Sequence, residues 1–455
     1  MTGPSQEHLM PESRRETPPF LRLASLACAL LALAPAAKAQ SLKELYEAAR
    51  GYDATYLSAK ALHDSARHRV DQSEALLKPS ASLTASATTA QIDLPIPRNS
   101  TGSNNTLAGT LSGRYPLVNR SSEATIAQAR KSLEVSQADL DTAEQDLIVR
   151  VSQAYFDVLA SRDALATTQA AKAAITEQLA SAKRNFEVGT ATITDAREAQ
   201  AAFDRASAAE IAAENDLRTK QVALDQLVGR RGVSPSQLRV PVALPPVAPA
   251  DAEAWVGAAE QQHPTIRRAR VGLDVARLET AKARAAEKYT LDAVGAVGAT
   301  HATGHFASTP GTSKTASIGL QFSMPLYTAG ATQSRIQETL VLEEKARQDH
   351  EAARRGVTQG TRVAFLGLQS LHAQVKALEA AEASSKLALE ATQLGYKVGV
   401  RVNLDVLNAQ SQLFQTQRDL AKARYDVIVT GLRLRQAAGQ LAAGDIDAVS
   451  RLLAP

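Results

Sequence analysis

The chain has 455 residues, 51 Lys+Arg against 47 Asp+Glu, and a formal net charge of +4. Aromatic residues make up only 4% and there is one Trp, which disfavours large globular cores built on Phe, Tyr and Trp. Apolar residues at 44% exclude general disorder, and the near-balanced, scattered charge gives no support to nucleic-acid binding.

The first 39 residues read as an export leader. Arg14, Arg15 and Arg22 are followed by an apolar run from Leu23 to Leu33, then Pro35 and the small-x-small sequence Ala37-Lys38-Ala39. Cleavage after residue 39 removes Cys28, the only cysteine, so the mature chain is expected to carry no thiol and no disulfide. No later run of about 20 apolar residues marks a transmembrane helix.

The mature chain is duplicated. Phe186-Glu187-Val188-Gly189 recurs as Tyr396-Lys397-Val398-Gly399, an offset of 210, and Asp195 and Gly229 recur in the same register as Asp405 and Gly439. Earlier matches, such as Tyr115-Pro116-Leu117 with Met324-Pro325-Leu326, stand 209 apart. The expected organisation is a first repeat over 40–230, a Pro-rich linker over 231–251 in an equatorial region, a second repeat over 252–441 and a tail over 442–455.

Each copy changes period in the same order. A helical segment (42–77 and 252–287) precedes two strand-like runs. In the second copy Ile318, Leu320, Phe322 and Met324 alternate with Ser317, Gly319, Gln321 and Ser323, giving one apolar and one polar face. In the first copy Leu107, Leu111 and Tyr115 alternate with Thr106, Thr110 and Arg114. The partner runs, 80–93 and 291–300, are rich in small residues, and loops are expected from Pro95 to Asn104 and from Ala302 to Ser313. An ordinary soluble sheet is the competing reading of these hairpins.

From Val118 to Phe186 there is neither Pro nor Gly, which predicts a helix about 100 Å long. Ile126, Leu133, Leu140, Leu147 and Ala154 step by seven, as do Val151, Val158 and Leu165, a coiled-coil pattern. Phe203, Leu217 and Leu224 form the seam of the returning helix, and Leu371, Leu378, Leu407, Phe414 and Ile428 repeat the pattern in the second copy. Each long helix is therefore expected to turn back at its Val-Gly sequence. Four strands do not close a barrel, and a lone long hairpin has little to pack against, so an oligomer is expected.

The tip sequences 186–195 and 396–407, their duplication and their place past a coiled coil resemble those of the TolC and outer-membrane factor family, a similarity that runs from Leu42 to about Leu441. The resemblance implies a mainly α fold with a membrane β-barrel. Three chains would each contribute four strands to a twelve-stranded barrel, continued by an α-helical periplasmic tunnel. It implies an outer-membrane exit duct for tripartite efflux pumps and type I secretion. The implied partners are a periplasmic adaptor, an inner-membrane transporter of the RND or ABC type, and outer-membrane lipid.

The resemblance also implies a closed tip held by polar links, with Tyr396 bonded to Asp195 and Arg401 to Thr194 or a neighbouring carbonyl. The alternative makes these ordinary helix-turn groups, with Asp195 near the start of the returning helix. Asp405 would form a three-fold acidic ring in the lumen, weakened because the next turn carries Asn408 where the family has a second Asp. Val188-Gly189 and Val398-Gly399 would seat in an adaptor groove. No catalytic constellation, cofactor motif or strong metal set is present; His301 and His305 lack a carboxylate or Cys beside them. The chain is not read as an enzyme. A rival reading is an exported soluble coiled-coil structural or adhesive protein.

Overall fold

The computed structural model describes residues 40–94, 100–239, 244–304 and 310–454. The expected leader with Cys28, and His305, lie outside the described residues. In chain order the elements are α1 (Leu42–Tyr52), α2 (Ala54–Glu74), β1 (Ser80–Leu94), β2 (Ser100–Val118), α3 (Arg120–Glu187) and α4 (Ile193–Val228). They continue with α5 (Ala252–Gln262), α6 (Pro264–Ala285), β3 (Thr290–Gly304), β4 (Gly311–Ser323), α7 (Ala331–Lys397), α8 (Asn403–Ala437) and α9 (Ala443–Ser450).

The four strands form one antiparallel sheet in the order β1-β2-β3-β4. Strand β2 begins at Ser100, within the stretch expected to be loop, because the ladder of backbone bonds runs on to Leu94↔Ser100. Likewise β3 extends to Gly304, since Asn104↔Gly304 closes the β2–β3 ladder. Backbone pairing thus overrides the turn-forming Asn and Gly residues near the hairpin ends.

Helices α3 and α7 run 68 and 67 residues without a break. At 1.5 Å per residue each is about 100 Å long. Their partners α4 and α8 have 36 and 35 residues, so each hairpin has one long and one short arm. Nearer the sheet, α3 packs against α2 and α6, and α6 against α7. The order α2-α3-α6-α7 continues the strand order below the sheet.

The main apolar core lies where α1, α3, α4, α8 and α9 meet. Leu147, Val151, Val158, Leu224 and Ile428 are buried there, as the seven-residue steps require. Polar ties fix it. Tyr155 donates its hydroxyl to the Ser236 carbonyl at 3.0 Å, and Tyr425 donates to Asp163 at 2.6 Å. Asp53 caps α2 by accepting from the Tyr56 N–H and receives a bidentate Arg150 fork, both bonds 2.9 Å. That guanidinium holds the Asp53 carboxyl below its ordinary pKa. A second cluster packs Trp255 of α5 with Phe365, Leu368, Leu420 and Val427. The tail packs as α9, which buries Ile446 and Val449 in the main core, and its end meets the linker through the Leu238↔Leu453 bridge.

Candidate functional site

Two regions combine unusual surface with unusual geometry: the sheet and the helical tips. In the sheet, register decides which residues share a face. Leu83↔Leu111↔Val297↔Ala316 and Tyr115↔Ala293↔Leu320 lie on one side. Ser82↔Ser112↔Ala296↔Ser317 and Thr84↔Thr110↔Gly298↔Thr315 lie on the other. The first face is apolar yet open: Ile318 is 93% exposed and Leu83 76%. Such a band is the pattern of a lipid-facing barrel wall. The second face is small and polar, with the Ser82 and Ser112 hydroxyls 2.9 Å apart. At its base Arg114 pairs with buried Asp292 at 2.6 Å. In one chain β1 and β4 are free edges.

Among the described residues no helix is long and apolar enough to cross a membrane. His301 Nδ1 lies 2.9 Å from the Thr312 hydroxyl across the β3–β4 pair, and no metal-holding cluster occurs among the described residues.

At the tips the two copies fold alike. Gly189 (φ 74°) and Gly399 (φ 81°) occupy the left-handed position that ends a helix without a Cβ penalty. The Asn185 carbonyl accepts the Thr190 N–H at 2.8 Å, and the Gly395 carbonyl accepts the Val400 N–H at 2.9 Å. This helix ending places Val188, Val398 and Val400 on an exposed apolar apex.

The returning helices then differ. Thr192 begins α4 with a capping box, in which Thr192 and Asp195 satisfy each other's backbone N–H groups. The matching residue in the second copy is Val402, which has no capping oxygen. Asp405, the counterpart of Asp195, therefore makes no cap and faces Arg401 at 3.6 Å. That pair is exposed and contributes little by itself.

The expected tip pairs are rearranged. Tyr396 meets Asn185, whose side-chain amide donates to the phenol oxygen at 3.3 Å, rather than Asp195, which is occupied by its capping box. Arg401 turns to Asp405 within its own hairpin rather than to Thr194, which is exposed. A second link between the hairpins, beside Asn185–Tyr396, passes through Asn403, 1% exposed. It donates to the Asp195 carbonyl at 3.3 Å and accepts from the Gln178 amide. Leu407 packs beside this link against Leu179, Ala182, Ala199 and Ala202.

Gln178, Asn185 and Asn403 escaped the sequence reading. A signal existed: Gln178 and Asn185 are seven residues apart, beside the apolar Leu179 and Phe186 positions, as Asn403 and Gln410 are on α8. A polar residue at a heptad position sets register at a helix seam. Asn408 lines a cavity of about 420 Å³ with Glu198, Arg205 and Arg418, a lining that does not include Asp405.

Comparisons with known proteins fit this geometry. The profile of the "Outer membrane efflux protein" family matches residues 45–230 and again 255–440, in the same 210-residue register as the tip repeat. The outer membrane protein TolC of Vibrio cholerae serotype O1 is 34% identical over 424 residues, covering 92% of this chain and 95% of that protein. The alkaline protease secretion protein AprF of Pseudomonas aeruginosa is 31% identical over 350 residues, covering 75% and 71%. Among solved structures, the Campylobacter jejuni CmeC outer membrane channel superposes with a TM-score of 0.76 at 17% identity, covering 99% of this chain and 98% of that one.

Proposed function

The chain belongs to the outer membrane efflux protein family, and we propose that three copies form one outer-membrane exit duct gated at its periplasmic helical tip. The observation that carries this is the sheet: an open apolar face, a small polar face and two unpaired edges, all continued by 68- and 67-residue helices. Pairing β4 of one copy with β1 of the next removes every edge, which water-exposed long strands otherwise leave as aggregation sites. The polar faces then line a pore and the apolar faces meet lipid.

The cargo passes from an inner-membrane transporter of the RND or ABC type through a periplasmic adaptor. The exposed Val188-Gly189 and Val398-Gly399 apices are the adaptor-docking points. Likeness to the alkaline protease secretion protein AprF supports polypeptides as one cargo class, and membership of the outer membrane efflux protein family supports small exported molecules as another.

At the tip Thr194, Asp195, Tyr396 and Arg401 surround the gate. Within a chain the hairpins are tied by Asn403 and by Asn185–Tyr396, two small polar links that separate without unfolding a helix. Asp405, free of capping, supplies one carboxylate per copy to a ring that attracts cations.

The test is purification of the full mature chain with and without detergent, followed by mass determination and reconstitution into vesicles. A detergent-dependent particle of three chains that makes vesicles leaky to ions supports the duct. A water-soluble coiled coil without vesicle activity overturns it.

A further inference from the structure

Below the apolar face of the sheet lies a cavity of about 740 Å³ between the starts of α3 and β3 and the helices α6 and α7. We propose that it binds the phosphodiester headgroup of an anionic phospholipid in the periplasmic leaflet. The proposal rests on the outer-membrane reading above.

Its position follows from register. Val118 lies opposite Leu291, and Leu291 opposite Phe322, so all three share the apolar face. Tyr289 stacks on Phe322 with ring centres 5.4 Å apart. Both Val118 and Tyr289 line the cavity. The cavity therefore opens where the apolar wall ends, at the level of lipid headgroups. An aromatic ring with a polar tip is at home there.

Its charge is cationic. Arg120, Arg277, Arg284 and Lys288 line it against one carboxylate, Glu343. Arg277 is answered by Asp274 and Glu343, and Arg120 by Glu123. Among the described residues Arg284 and Lys288 have no anionic partner. The end of α6 explains one such cation through the helix dipole. It does not explain the second, and Arg120, although answered by Glu123, converges on the same cavity from the first position of α3, where the dipole disfavours positive charge. A phosphate between these groups reconciles all three. Long Arg and Lys stems lying along apolar surface carry their charges to that depth.

The test is native mass spectrometry of the full chain released from detergent micelles, with phosphatidylglycerol, phosphatidylethanolamine or inorganic phosphate added. The wild type is expected to retain phosphatidylglycerol in preference to phosphatidylethanolamine. The double variant Arg284→Gln with Lys288→Gln is expected to need roughly thirtyfold more lipid for the same occupancy. Lys314→Gln, on β4 far from the cavity, is expected to bind as the wild type does. Millimolar inorganic phosphate is not expected to displace the lipid. Equal retention by the double variant overturns the site, and displacement by phosphate overturns the lipid assignment. Vesicle leakage is measured beside it: lost lipid with leakage intact leaves the duct reading standing, whereas absent leakage in the wild type strikes at the duct itself.

Discussion

Replacing Asn403 with alanine is expected to loosen the closed tip while leaving the fold in place. Asn403 is buried and makes two bonds across the hairpins, to the Asp195 carbonyl and from the Gln178 amide. Truncation leaves both partners without it in a confined seam, a loss of about 1–3 kcal/mol per copy. If the link exists only in the closed state, that loss shifts the closed–open balance about 5–150-fold per copy. Global stability moves little, because the cores around Tyr155 and Trp255 lie elsewhere and Leu407 still packs beside the gap. The assay is single-channel recording in planar bilayers beside thermal unfolding followed by helix circular dichroism. Larger or more frequent openings at an unchanged melting temperature are expected, with Asn408→Ala as the exposed control. Currents identical to wild type would refute the role of the link.

Gly395→Ala is expected to open the channel without lowering its melting temperature: alanine favours the helix by about 1 kcal/mol, but its Cβ would stand 2.8 Å from Arg401 Cγ and displace that side chain. Asp53→Asn keeps a capping oxygen yet loses the ionic pair with Arg150. Because Arg150 lowers the folded-state pKa, the pair's contribution is fully present above the ordinary 3.8 and is lost as pH falls through the folded value. The variant's melting deficit at pH 7 is therefore expected to shrink in acid, and a deficit independent of pH would contradict the assignment. Asp405→Asn is expected to weaken block by trivalent cations and Asn408→Asp to strengthen it, read as the half-blocking concentration. Ile318→Arg is expected to cost about 2–4 kcal/mol of stability in bilayers, whereas Ser317→Arg, on the polar face, is expected to be nearly neutral; equal costs would remove the assignment of faces.

The long helices were legible because nothing in 118–186 breaks them, and the strands because Ile318, Leu320 and Phe322 alternate so cleanly. The repeat told where the hairpins turn. The partners at the tip were not legible, since they depend on how each helix is rotated about its axis. Asp195 and Asp405 make the point: identical residues in matched positions diverge because one follows Thr192 and the other Val402. The capping hydroxyl draws Asp195 into its own helix start, so Tyr396 falls to Asn185. Strand ends were misjudged for a related reason, as residues 100–104 look like loop until the neighbouring strand supplies their backbone partners. The tail gives no periodic signal in its few residues, and contacts with α1, the linker and Arg435 of α8 order it.

The most direct measurement is single-channel current through the purified protein in a planar bilayer, comparing wild type with the double variant Asn403→Ala, Tyr396→Ala, which removes both links between the hairpins. A bilayer-spanning duct constricted at its helical tip predicts a small steady conductance that rises clearly in the variant. Conductance unchanged by the substitutions would contradict the placement of the gate, and well-folded protein that forms no channels would contradict the duct.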